Sequence, residues 1–311
     1  METRMIGSLT VSVVGLGCNN FGGRIDQAAT QAVIDAALDE GITLFDTADI
    51  YGGGRSEELL GVALGSRRDE VVIATKFGMG DGTSLPGGAS AASVAAAVEG
   101  SLRRLGTDRI DLYQLHTPDR ATPIDETIEA LDRLVRDGKV REVGCSNFDG
   151  AMLDEANGAA QQSGAARFVS VQNELSLLRR RGEQDLLDAC QRHDLAILPF
   201  FPLASGMLTG KYQRGAEPPS GTRLAGLPTE RREQALSDRR FDIVEALDAF
   251  ARERGHSLLE LAMSWLAGLP HLASVIAGAT SPAQVQTNVG AVSWTLTDDD
   301  RSEVDRLSPP G

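Results

Sequence analysis

Short apolar runs of strand length alternate along the chain with longer stretches of helical periodicity, and the alternation hardly pauses. The run VSVVGLG precedes the helical pattern QAATQAVIDAALDEG, and ITLFDTA precedes SEELLGVALG. EVVIATKFG leads to AASVAAAVEGSLRRLG, IDLYQLH to DETIEALDRLVRDG, and VREVGCSNF to GAMLDEANGAAQQSG. FVSVQNEL then leads to EQDLLDACQRHD, LAILPFFPL to a long polar stretch and a helical pair, and ASVIAGAT to PAQVQTNVGAV. Strands that are apolar throughout, rather than alternating, belong to a parallel sheet buried on both faces. The eight strand-then-helix units predict an α/β fold, a (β/α)8 TIM barrel, as a single domain over residues 1–311. An open, doubly wound sheet is the alternative.

Local punctuation agrees with these elements. Gly41, Gly65, Gly106 and Gly138 each follow a helical pattern, where a left-handed residue ends a helix well. Pro123 and Pro282 sit near helix starts, where a missing N–H does no harm. One connection is unusually long, from Lys211 to Asp238, and it is rich in proline, glycine and arginine. Its length predicts a mobile segment that becomes more ordered when a ligand binds.

Composition narrows the function classes. Thirty basic residues against forty-four acidic ones leave a net charge of −14, which disfavours nucleic acid and anionic membrane surfaces as partners. The opening METRMIGSLTVSVVGLG lacks the long apolar stretch of a signal peptide. The uncharged stretch Leu261–Ala279 is split by Pro270 and His271, so it predicts a buried helix followed by a buried strand rather than a membrane span. Cys18, Cys145 and Cys190 are far apart and form no disulfide or zinc pattern, as expected of a cytoplasmic protein.

In a barrel of this kind, chemistry gathers at the C-terminal ends of the strands. Those positions hold Asp46 and Tyr51 after the second strand, Lys76 near the end of the third and His116 at the end of the fourth. Singly, each has a plain reading: a capping acid, a half-buried aromatic, a snorkelling or Schiff-base lysine, a strand-end histidine. As a set they fit proton transfer. A phenol titrates at about 10, and a neighbouring lysine lowers that value while an aspartate holds the lysine charged. Histidine can orient a substrate oxygen. Asp49, on the same loop, reads as a solvated acid.

Other signatures fail. GLGCNNFGG places Asn20 where a dinucleotide fingerprint needs its third glycine, and GCSNF places Phe148 where a nucleophile elbow needs one. The four histidines are scattered, and no metal site is expected.

Asp46, Tyr51, Lys76 and His116, in this order at these strand ends, resemble the catalytic tetrad of the aldo-keto reductases. The resemblance extends over GLGCNNFGG, FDTADIYGGGRSEELLG, ATKFG, DLYQLHTPD, GKVREVGCSNF, VQNELSLL, PFFPLASGMLTGKY and VIAGATSPAQVQTN. It is strongest for the branch with bacterial aldehyde reductases and potassium-channel β-subunits. It implies reduction of an aldehyde or ketone with NADPH (NADP+), NADH being a second candidate, on a small carbonyl substrate. Tyr51 would be the general acid. An NADPH-binding regulatory or sensor subunit with slow turnover is the alternative, and a Schiff-base aldolase using Lys76 a weaker one.

For the cofactor, the resemblance implies Gly17, Cys18, Asn19 and Asp46 at the barrel mouth. Ser146, Asn147 and Gln172 match the residues that hold the nicotinamide carboxamide, and Phe200 the aromatic that stacks on its ring. Pro202, Leu203, Ser205, Gly206 and Lys211 match the pyrophosphate segment; Gly278, Thr280, Gln284 and Asn288 match the adenosine-phosphate segment. Here the chain departs from the family, because no lysine or arginine lies between His271 and Arg301 to meet a 2′-phosphate.

Overall fold

The computed structural model describes residues 1–80 and 87–310. Eight parallel strands form one curled sheet: β3 (Val14–Gly17), β4 (Leu44–Asp46), β5 (Val72–Phe77), β6 (Ile110–Leu115), β7 (Val140–Ser146), β8 (Ser170–Gln172), β9 (Ala196–Ile197) and β10 (Val275–Gly278). The order is β10-β3-β4-β5-β6-β7-β8-β9. Hydrogen bonds from Ile197 N–H to His271 O (2.8 Å), Ala273 N–H to Ile197 O (3.0 Å) and Ile276 N–H to Pro199 O (3.2 Å) join the two ends. The barrel is therefore closed, and the open-sheet alternative falls.

Helices α1 (Gln27–Asp39), α2 (Arg55–Leu64), α3 (Ala91–Leu105), α4 (Ile124–Arg136), α5 (Gly150–Ser163) and α6 (Glu183–His193) follow β3 to β8 in turn. After β9 come α7 (Thr229–Ala235), α8 (Asp238–Glu253) and α9 (Leu258–Ala267), and after β10 come α10 (Pro282–Gly290) and α11 (Asp298–Leu307). Asp26 caps α1 by accepting from Ala29 N–H, and Ser257 with Glu260 forms a reciprocal capping box on α9. The stretch Leu261–Ala279 is the buried helix and buried strand expected of it. No helix among the described residues is long and apolar enough to cross a membrane.

Two features depart from the sequence pattern. VSVVGLG is not one strand: its first residues end β2 (Leu9–Ser12), which pairs antiparallel with β1 (Thr3–Ile6), and only Val14 onward enters the barrel. The hairpin turns through Gly7, at φ 54°, and Ser8 N–H donates to Glu142 at 2.7 Å. Ile6, Leu9 and Val11 pack against Leu44, Val72, Ala74, Leu112, Val169 and Ala273, which seals the N-terminal end of the barrel. The segment from Lys211 to Asp238 is also less open than its composition suggests, because it contains α7 and buries Leu224.

The sealed end fixes where chemistry can occur. Side chains alternate along a strand, so the positions two residues beyond those apolar plugs also point inward. Beyond Leu44 stands Asp46; beyond Ala74, Lys76; beyond Leu112, Gln114 and then His116. The barrel interior is thus apolar at its closed end and polar at its open end.

Candidate active site

Lys76 is fully buried, and its ammonium donates to Asp46 Oδ2 at 2.7 Å, Asp46 Oδ1 at 2.9 Å and Thr47 O at 2.9 Å. The Tyr51 hydroxyl lies 3.5 Å from the same nitrogen. Burial alone would lower the Lys76 pKa; the charge of Asp46, with Tyr51 and the hydrogen bonds to both, outweighs it and raises the pKa. The lysine is therefore a cation with every donor committed. Its charge acts on the Tyr51 hydroxyl at that distance.

Tyr51 is placed by its loop. Thr47 N–H donates to Ala74 O and Asp49 N–H to Lys76 O, so the β4–β5 ladder continues past the end of β4. The chain then turns sharply through Gly52, Gly53 and Gly54, at φ 60°, 65° and 90°, where a side chain would be strained. Burial raises the Tyr51 pKa above its usual value, and the opposing pull of Lys76 does not cancel it. The sequence-based expectation of a lowered value thus holds for the influence of Lys76 alone, and burial outweighs it. The net effect keeps the phenol protonated, which suits a proton donor.

His116 continues β6, and its ring meets that of Tyr51 edge-on at 5.9 Å between centroids. Burial, and then the Lys76 charge, drive its pKa down to about 3. The imidazole is therefore neutral near pH 7, and its Nδ1 has no hydrogen-bond partner among the described residues. A neutral ring can donate to or accept from a substrate oxygen without adding charge.

Around this group the expected polar residues converge. Gln172 Nε2 donates to Asp46 Oδ1 at 2.8 Å, Ser146 Oγ donates to Gln172 O at 2.7 Å, and Asn147 Nδ2 donates to His116 O at 2.9 Å. Asn147 sits at φ 63°, a strained value that asparagine tolerates better than most residues. Cys18 is fully buried, donates its backbone N–H to Asp46 O at 2.8 Å, and keeps its thiol protonated, chiefly through burial. Asn19 is half-buried beside Gly17 and Gly278, which are register partners on β3 and β10.

The segment after β9 is strained where the resemblance puts the cofactor. Phe201, Ala204 and Ser205 all have positive φ, at 53°, 45° and 59°, within five residues that also include Pro202 and Leu203. Such clustering of left-handed non-glycine residues is costly and is typical of functional segments. Phe200 and Phe201 pack edge to face at 5.3 Å. A Cβ on Gly206 would lie 2.6 Å from the Lys211 Nζ, so only glycine lets that lysine lie across the turn. Thr280 donates to Gln284 Oε1 through both its N–H (2.8 Å) and its hydroxyl (3.1 Å), so Gln284 folds back on the start of α10; Asn288 is buried below it.

Sequence reasoning named Lys211 but missed its companions. Arg24, from the loop after β3, and Arg223, from the long segment, lie close enough to act on it. Burial first, and then these two charges, lower the Lys211 pKa; Arg223 is lowered by burial and by Arg24. None of the three meets a carboxylate among the described residues. Arg24 instead donates to Gly221 O at 2.6 Å, and Arg223 lies over the Phe201 ring at 4.8 Å. Asp49 was also misread. It is 1% exposed, not solvated.

Comparison with known proteins shows the family. The model of the Aldo/keto reductase family matches residues 13–309. An "Uncharacterized oxidoreductase YrpG" of Bacillus subtilis is 36% identical over 95% of this chain and 92% of its own length. The "Aldo-keto reductase YhdN" of the same organism is 32% identical over 96% and 90%. A "Probable voltage-gated potassium channel subunit beta" of Arabidopsis thaliana is 33% identical over 91% and 88%.

Proposed function

The chain belongs to the aldo/keto reductase family, oxidoreductases that act on carbonyl compounds, and on that premise we propose that it is a cytoplasmic, NADPH-dependent reductase of aldehydes or ketones. The observation that carries the reading is the buried Asp46–Lys76–Tyr51 chain beside a neutral His116. A Schiff-base role for Lys76 fits poorly, because its nitrogen is a committed cation and not a free amine.

The residues present suit a dinucleotide. Arg24, Lys211 and Arg223 offer three positive charges without carboxylate partners among the described residues, suited to the phosphates. Phe200 offers an aromatic face for the nicotinamide, and Ser146, Asn147 and Gln172 offer amide and hydroxyl groups for its carboxamide. Gly17, Asn19, Gly278, Thr280, Gln284 and Asn288 would take the remainder. When bound, the reduced nicotinamide supplies a hydride to the carbonyl carbon.

The protein handles the oxygen. Its hydroxyl proton passes from Tyr51 Oη to the carbonyl oxygen as negative charge develops there. Lys76 stabilises the phenolate that remains, and Asp46 keeps the lysine charged and in place. His116, uncharged, orients the same oxygen.

NADPH oxidation across a panel of aldehydes and ketones tests the reading; steady turnover of at least one carbonyl is expected. A second reading is favoured by the relatives named as potassium-channel subunits: a redox-sensing subunit that binds NADPH and turns over slowly. Tight NADPH binding with no multiple turnover on any carbonyl would select it.

A further inference from the structure

Outside the barrel wall, behind the loop that carries Tyr51, lies a second group of charged residues that the proposed reaction does not use. It is enclosed by the loop after β4, the outer faces of β5 and β6, and helices α2 and α3. Glu57, fully buried on α2, accepts from Thr75 Oγ1 at 2.6 Å and from Arg104 Nε at 2.6 Å. Arg104, on α3, reaches across to Gly54, where any Cβ would lie 2.8 Å from its Cδ. Asp49 is buried in the same place, and neither of its carboxyl oxygens has a hydrogen-bond donor among the described residues. Tyr113, fully buried on β6 and stacked on Phe77 at 4.7 Å, adds a hydroxyl close to Ser101.

Count the charges. Two acids, Asp49 and Glu57, face one cation, Arg104. Glu57 is satisfied by two hydrogen bonds, one of them from the guanidinium; Asp49 receives neither. An ionised carboxylate without donors is expensive to bury, whereas a neutral carboxyl is not. The group is electrically balanced only when Asp49 carries a proton.

We propose that Asp49, Glu57 and Arg104 form a proton-holding cluster, and that Asp49 is a positioning residue through which the placement of Tyr51 and Lys76 depends on pH. The connection is short and covalent. Asp49 is two residues before Tyr51, and its N–H donates to Lys76 O at 3.1 Å. Ionising Asp49 adds an uncompensated negative charge to the loop that holds both. The loop then relaxes toward water, and its three glycines offer little resistance.

The groups facing Asp49 set the pH of this change. Burial, and then the Glu57 charge, raise its pKa from 3.8 to about 7, while the Arg104 charge, the adjacent Ile50 N–H, which is too poorly aligned to make a hydrogen bond, and Lys76 oppose them. Tyr113, the remaining titratable neighbour, is itself raised by burial and by Asp49 and stays neutral. The carboxyl binds its proton more tightly in the folded protein, so its stabilising effect is full below 3.8 and is lost as pH rises through about 7.

The test compares wild type, Asp49→Asn and Glu57→Gln across neutral pH by thermal unfolding, by hydrogen exchange of residues 46–54 corrected for intrinsic rates, and by kcat/KM. Between about pH 6 and pH 8, wild-type Tm should fall by roughly 2 °C more than that of Asp49→Asn. Exchange in the loop should rise over the same interval in wild type only. The kcat/KM profile should show a falling limb near about 7 that Asp49→Asn lacks. Glu57→Gln leaves one acid with one cation and should move all three transitions to lower pH. Parallel Tm curves for wild type and Asp49→Asn, or a limb that survives that substitution, overturn the proposal. Its kinetic arm rests on the reductase reading. A protein that turns over no carbonyl removes that reading alone, since unfolding and exchange still decide the cluster.

Discussion

Gln172, on β8, donates to Asp46, on β4, at 2.8 Å across the interior of the barrel. The acid that anchors Lys76 is therefore itself anchored from the opposite wall, with a longer contact from Gln114 at 3.4 Å. Gln172→Leu removes a hydrogen bond to a buried carboxylate. It should cost about 1–3 kcal/mol in urea unfolding. A loss below about 0.5 kcal/mol, the level of an ordinary surface change, would show that Asp46 is held by Lys76 alone.

Lys76→Met keeps the stem and removes the charge. It leaves Asp46 buried without its counter-ion, so it should cost about 3–5 kcal/mol as well as nearly all activity. Adding Asp46→Leu should restore most of the stability and none of the activity. Recovery of turnover in the double variant would show that the pair serves folding only.

Much of this site was legible in the sequence, because strand-end positions follow directly from the alternation of strands and helices. Asp46, Lys76 and His116 fall at or just beyond the C-terminal ends of apolar strand runs, and the period of two turns all three inward. Asp49 was not legible. Its loop composition is polar, and only the packing of α2 and α3 over that loop makes it buried. The companionship of Arg24, Lys211 and Arg223 was hidden too, since it depends on the path of a segment that brings positions two hundred residues apart together. The hairpin did leave a signal: Gly-Ser between two short alternating runs, absorbed into a longer apolar stretch.

His116 makes a prediction in the acid range. It is neutral when folded and binds its proton more weakly than the unfolded chain does. Its contribution to stability is therefore present above 6.5 and is lost as pH falls toward about 3. His116→Gln should flatten that part of the stability–pH curve when both proteins are unfolded in urea across this range. An unchanged slope would mean the ring is already charged or accessible.

The three cations that meet no carboxylate among the described residues bear on cofactor choice. Gln284 is occupied by Thr280, so a 2′-phosphate gains little from it, and on the proposed reading a preference for NADPH draws on the charges of Arg24, Lys211 or Arg223. NADPH should bind more tightly than NADH. Arg223→Ala should weaken NADPH about tenfold or more, as expected for a charged hydrogen bond of about 1.5–3 kcal/mol. NADPH should also slow proteolysis between Lys211 and Asp238. Dissociation constants from fluorescence titration decide this; tighter NADH, or an unaffected Arg223→Ala, contradicts it.

The central claim is that Tyr51 gives the proton. Tyr51→Phe removes one oxygen and leaves the ring against His116, the loop and the Lys76–Asp46 pair in place. Single-turnover measurement of NADPH oxidation with a carbonyl substrate, beside NADPH binding, isolates that proton. The hydride step should slow by about 10²–10⁴-fold while NADPH affinity stays the same. A Tyr51→Phe protein that keeps most of its single-turnover rate would contradict the account.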